Sequence, residues 1–244
     1  MSQAEDHHWW YLGMRDAIAR CLSHPSMRLP DNPKVLDAGC GTGGNLCFLN
    51  RTLSPSYLAG FDLSERALEH AHRKCPEADI YLSDLRAPEI REDDLDLIIS
   101  CDVLYVTGIL DSLNGLRRLS HSLKQGGLLV WNLPAFDWLT SHHDRVVHTK
   151  QRFTRGQLKD LSRELEMECV RISYRLFGLF PVIASIRLAA NCLMFDSRKA
   201  SDLRQPNRWV NEALLRVLKS ENRMIANGIS FPVGTSVFAV FRKC

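Results

Sequence analysis

The chain has 244 residues, 45% of them hydrophobic and 24% charged, with 14 glycines and 10 prolines, which excludes a disordered, collagen-like or low-complexity protein. Basic side chains number 31 and acidic ones 28, a formal charge of +3 without a dense Lys/Arg block, so the charge pattern points to no nucleic-acid partner. The eight cysteines form no CxxC pair, which argues against a disulfide framework or a zinc site and for a reduced, cytoplasmic setting.

The polar, acidic start lacks the charged and apolar regions of a secretory signal. The aromatic run Trp9-Trp10-Tyr11 then predicts an N-terminal helix within residues 1–30. From residue 34 to 133 a strand–helix rhythm takes over. Strands are expected at 34–38, 57–62, 79–83, 95–101 and 128–133, and helices at 45–53, 65–74 and 109–124. Ser64 is a natural cap for the second of these helices, and Gly126-Gly127 a stop for the third. The uninterrupted apolar character of 95–101 predicts a strand buried on both faces. The second half predicts a Thr154-capped helix, a strand over 168–174, helical segments around 178–195 and 207–226, and a closing strand over 235–242. Residues 176–195 are the one membrane-like stretch. Pro181, Arg187 and Asn191 interrupt it, so a buried or lid helix is expected and stable membrane insertion is not.

Alternating units of this kind imply an α/β, doubly wound, mostly parallel sheet with helices on both faces. The expected organisation is a helical lid at 1–30, a core formed by 31–175 with 231–244, and a helical insertion at 176–230. At the first strand–helix junction stands Gly39-x-Gly41-x-x-Gly44, literally the dinucleotide fingerprint, with Asp62 near the place of a ribose-binding acid. Alone the string leaves an NAD(P)-dependent oxidoreductase open. Asp37, two residues before the first glycine, is a poor neighbour for a pyrophosphate and suits a ligand carrying an ammonium and a sulfonium. Asp84 adds an acid where an adenine amino group could donate to it.

The ordered set Asp37-Ala38-Gly39-Cys40-Gly41-Thr42-Gly43, Asp62-Leu63-Ser64, Ser83-Asp84-Leu85, Cys101-Asp102-Val103-Leu104 and Gly126-Gly127 resembles the class I S-adenosylmethionine (SAM)-dependent methyltransferases of the small-molecule type. The resemblance implies a Rossmann-like, seven-stranded sheet whose last strand is antiparallel, with SAM as cofactor and S-adenosylhomocysteine (SAH) as product. It also implies roles. Asp37, Gly39, Cys40, Gly41 and Gly43 would hold the methionine portion, Asp62 the ribose hydroxyls, Leu63 and Leu85 the adenine faces, and Asp84 the adenine amine. Cys101 and Asp102 would lie under the methyl donor, with Trp10, Tyr11 and Arg15 of the lid beside the SAM carboxylate or the acceptor. Each acid also reads as a plain turn or helix cap.

The acceptor side is less determined. After the fifth strand come Trp138, His143, His148 and Arg152; the histidines are candidate general bases because an imidazole titrates near neutrality. The bland alternative has the histidines bonded to loop carbonyls and Arg152 paired with Asp144. Tyr105, Trp138, Arg152 and Phe180 are candidate acceptor contacts, and no carboxylate spacing supports a metal. The apolar residues of 176–230 suit a cover for a small, apolar or aromatic acceptor, and equally a homodimer surface or plain core. The reading that results is methyl transfer to an oxygen or nitrogen of such a metabolite. Its rivals are the oxidoreductase and a non-catalytic SAM- or SAH-binding partner subunit.

Overall fold

The structure is a computed structural model, and it describes residues 7–140, 144, 147–192 and 206–244. Seven strands form one sheet: β1 Lys34–Ala38, β2 Tyr57–Asp62, β3 Asp79–Leu82, β4 Leu95–Cys101, β5 Leu123–Pro134, β6 Met167–Arg175 and β7 Ser236–Lys243. The described helices are α1 Trp9–Leu22, α2 Gly44–Leu53, α3 Glu65–Lys74, α4 Leu104–Ser122, α5 Arg155–Glu164, α6 Phe180–Cys192 and α7 Arg208–Ala226. The strand order is β3-β2-β1-β4-β5-β7-β6, parallel from β3 to β5, with β7 antiparallel to both of its neighbours. This is the doubly wound sheet with an antiparallel last strand that the sequence predicts.

Local chemistry accounts for most of the boundaries. Ser64 caps α3 by accepting from the Ala67 amide, and Thr154 with Gln157 forms a full capping box at the start of α5. All seven residues of β4 are buried, as expected for a strand covered on both faces. Two expectations are corrected. First, a short helical turn from Leu104 precedes the helix expected from 109, and α4 comprises both. Gly108 sits inside it at φ 78° and ψ 169°, a break that resembles a helix start in the sequence, and the Gln151 side chain accepts from the Ile109 amide to restart the helix. Second, β5 begins at Leu123, before the glycine pair rather than after it, because Leu123 pairs with Leu95 across a register shift in β4.

Two apolar cores flank the sheet. Met14, Ile18, Leu46, Leu49, Ile99 and Ile225 pack on one face under α1, α2, α3 and α7, while Phe61, Leu116, Trp131, Phe153 and Phe241 pack on the other under α4 and α5. The helix α1 lies along α7, an association of the two ends of the sequence. Val182, Ile186 and Leu188 of α6 are exposed rather than buried; Arg187 turns back to donate to Leu139 O at 2.6 Å. Among the described residues no helix is long and apolar enough to cross a membrane.

Candidate functional site

Strands β1 and β4 are neighbours, yet the chain leaves β1 toward β2 and leaves β4 toward β5. A crevice therefore opens at their carboxyl ends, the place where ligands enter open α/β sheets. Ser100 Oγ ties the two strand ends together by donating to Ala38 O at 2.8 Å. The loop after β1 turns through Gly39 at φ 91° and Gly41 at φ 54°, backbone that L side chains rarely adopt. A Cβ on Gly39 would fall 2.2 Å from Val103 Cγ2, so the loop after β4 presses directly on the glycine loop. A Cβ on Gly41 would meet nothing within 4 Å, which leaves the loop open to a ligand there.

The acids divide by role. Asp62 braces the loop: its Oδ2 accepts from the Gly41 amide and its Oδ1 from the Ser64 amide, both at 2.9 Å. Next to it Leu63 is 63% exposed, an apolar surface beside the loop. Asp37 is wholly buried. Asp84 accepts from the Arg86 amide at 2.9 Å and from its guanidinium, and that pairing holds its carboxyl below the ordinary carboxylate range. Its acid is thus engaged in a local turn, and Leu85 lies in the core with Phe61 and Tyr81. Cys40 and Cys101 are buried thiols pushed up by desolvation, Cys40 with Asp37 and Asp62 near it and Cys101 with Asp102 and Asp37.

Asp102 holds a left-handed backbone at φ 55°, which aspartate tolerates better than most residues. Its amide donates to Asn132 O at 2.8 Å and its Oδ1 accepts from Asn132 Nδ2 at 3.0 Å. The Trp10 side chain also lies close enough to the Asp102 carboxylate to favour its charged form. Burial lifts the carboxyl to about 6, against the lowering effects of Asn132, Arg175 and Trp10. Tyr105, the second residue of α4, is pushed up to about 12 by burial, with Asp102, Tyr11 and Asp144 adding to it. Asp37, Gly39, Gly41, Asp62, Cys101, Asp102 and Trp10 are thus drawn to one crevice.

The remaining expectations fall elsewhere. Arg15 is buried in α1. Arg152 is also buried, bonded to both oxygens of Asp144 at 2.7 and 2.9 Å and to Ala135 O at 2.8 Å, so it braces the loop after β5 instead of facing an acceptor. His148 is exposed, and His143 lies outside the described residues. Trp138 and Phe180 do meet, at a ring separation of 5.9 Å, in a cluster with Phe136 and Tyr174; the last two stack at 4.6 Å. Sequence reasoning missed Asn132, Phe136, Tyr174 and Arg175. An amide in the apolar run Leu128-Leu129-Val130-Trp131-Asn132-Leu133 was the available signal, since a buried polar side chain must find a partner.

Negative carboxylates around an open glycine loop fit a ligand that carries positive charge and a ribose diol, and fit a pyrophosphate poorly. Among the described residues no group of three or more His, Cys, Asp and Glu side chains is placed to hold a metal. Residues 35–127 match the methyltransferase-domain family. A dTDP-4-amino-2,3,4,6-tetradeoxy-D-glucose N,N-dimethyltransferase of Saccharopolyspora spinosa is 30% identical over 104 residues, 42% of this chain and 41% of its own length. A trans-aconitate 2-methyltransferase of Variovorax paradoxus is 30% identical over 106 residues, 43% and 40% of the two chains. The chain thus spans about two-fifths of the length of these curated relatives. A SAM-dependent methyltransferase structure from Clostridium acetobutylicum superposes with a TM-score of 0.61 at 11% identity, over 94% of this chain and 91% of that one. Over residues 35–127 the chain is therefore similar to methyltransferase domains, and its fold is that of the solved SAM-dependent methyltransferase structures.

Proposed function

We propose that the protein transfers the methyl group of SAM to an oxygen or nitrogen of a small, apolar or aromatic metabolite. The observation that carries the reading is the Asp62 carboxylate bonded to the Gly41 amide beside the open loop, with Asp37 and Asp102 at the ends of β1 and β4. When bound, SAM supplies a methyl group already activated by its sulfonium. The chain supplies alignment and exclusion of water, which can account for much of the acceleration of an in-line displacement. Asp62 orients the ribose and Leu63 packs on the adenine, while Asp37 and the glycine loop hold the methionyl end. Asp84, with Leu85 behind it, accepts from the adenine amine once Arg86 yields. Trp10 and Tyr11 border the donor from α1. The aromatic cluster of Phe136, Trp138, Tyr174 and Phe180 favours an apolar or aromatic acceptor, and Tyr105, near Asp102 and Tyr11, is a further acceptor contact. His148, and His143 beside it in sequence, are the proton acceptors for an acceptor hydroxyl. The two curated relatives above are named for small-molecule acceptors, which supports the small size of the acceptor and not its apolar character.

The test is a thermal-shift panel with SAM, SAH, NAD and NADP on the purified protein. A ligand at 100 times its dissociation constant adds about 2.7 kcal/mol to the folded state. SAM and SAH are expected to raise the melting temperature and the nicotinamide dinucleotides to leave it unchanged. Stabilisation by a dinucleotide alone would sink the assignment.

A further inference from the structure

Behind the crevice runs a chain of buried polar side chains that the roles above do not use. Arg175, the last residue of β6, is fully buried. Its Nη1 donates to Asn132 Oδ1 at 2.7 Å, and its Nε donates to Asn222 Oδ1 at 3.4 Å. Asn222 in α7 in turn donates to Gly13 O at 2.8 Å and to Asp16 Oδ2 at 2.9 Å, both in α1. A guanidinium can only donate and a carboxylate only accept, so Arg175 and Asp102 between them fix which way the Asn132 amide faces. The amide therefore transmits: oxygen toward Arg175, nitrogen toward Asp102.

Burying a guanidinium is costly without compensation. Burial lowers the affinity of Arg175 for its proton, and the Glu221 and Asp102 carboxylates oppose that. Glu221 is itself held in place, accepting from the Leu176 amide at 2.5 Å. A buried cation costs more than an apolar side chain of similar size, so one whose contacts reach Asp102 through a single amide calls for a use. Nη2 of Arg175 has no hydrogen-bond partner among the described residues, which makes the burial more expensive still.

We propose that Arg175 is a positioning residue for the transfer site: acting through Asn132, it fixes the direction and the charge of the Asp102 carboxylate at the end of β4. The relevance to methyl transfer rests on the function proposed above; the coupling itself does not. The groups that face Asp102 are Asn132 from β5, Arg175 from β6, Trp10 from α1, Tyr105 from α4 and Cys101 from β4, with Tyr11 and Asp144 beyond Tyr105. Arg175 is the one cation among them, so its removal has a defined sign.

The experiment follows the Asp102 carboxyl carbon by NMR in protein labelled with 13C-aspartate, assigned with Asp102→Asn, across pH 4 to 8. In Arg175→Met the midpoint is expected to rise by about one pH unit, since a nearby positive charge favours the carboxylate. Arg175→Lys keeps the charge and is expected to restore most of the wild-type midpoint. An unmoved midpoint in a folded Arg175→Met protein overturns the proposal. If that variant does not fold, the wild-type protein still decides. The Asn132 side-chain amide and the Arg175 guanidinium are expected to titrate with the Asp102 midpoint, and flat resonances overturn the proposal. Calorimetry with SAH on the same samples separates the two readings. Wild-type protein that binds no SAH loses the proposed function but keeps the coupling; protein that binds SAH without coupled titration loses the coupling alone.

Discussion

A single carboxylate at the end of β4 makes the molecule's stability depend on pH in an unusual direction. Asp102 titrates near 6 in the folded chain, above the ordinary 3.8, because burial disfavours its charge more than Asn132, Arg175 and Trp10 favour it. Below about pH 4 the group is protonated in both states and contributes no penalty. Between about 4 and 6 the unfolded chain ionises first, so folding stability falls as pH rises, and above about 6 the loss is constant. Asp102→Asn removes this dependence. Urea unfolding at pH 4 and pH 7 is expected to show the wild-type protein losing roughly 1–3 kcal/mol more than the variant over that interval. Equal losses in the two proteins would refute the raised carboxyl.

At the scale of elements, the junction of β1 with α2 and the start of α4 form one unit. Gly39→Ala places a methyl 2.2 Å from Val103 Cγ2 and forces alanine to φ 91°, so the two loops cannot keep their contact. The variant is expected to lose SAH affinity at least tenfold by calorimetry and to melt earlier, overpacking typically costing about 1–3 kcal/mol. Adding Val103→Ala relieves the clash but not the backbone, so it is expected to recover only part of the stability. These local units were the legible part of the sequence. Periodicity, the Ser64 cap and the glycine loop placed β1 to β4, α2 and α3 within a residue or two, because short-range chemistry sets their ends. The start of α4 escaped because Gly108 breaks the helical pattern while Gln151, 42 residues away from the bonded Ile109 amide, repairs it. Asn132, Arg175 and Asn222 escaped for the same reason: no spacing relates three residues joined only by the folded sheet. Arg152 belongs with them, its pairing with Asp144 being one of the alternatives that local sequence left open.

Across the whole molecule, one asparagine joins α1 and α7 to the end of β6 within their apolar packing. Asn222 is fully buried and bonds Gly13, Asp16 and Arg175 together. Asn222→Leu leaves buried donors and acceptors unsatisfied, each at about 1–3 kcal/mol. Denaturant unfolding is expected to show a loss of that order, and hydrogen exchange to show α1 and α7 losing protection together while β1 to β4 keep theirs; protection lost evenly over the molecule would contradict this. The insertion of β7 between β5 and β6 has a last consequence, for synthesis. Sixty residues, 176–235, separate β6 from the strand that must lie beside it. At about 5–20 residues per second a ribosome needs roughly 3–12 s to make them. For that time the nascent chain carries two open strand edges, those of β5 and β6, and a second nascent chain on the same message offers a β7 that fits them.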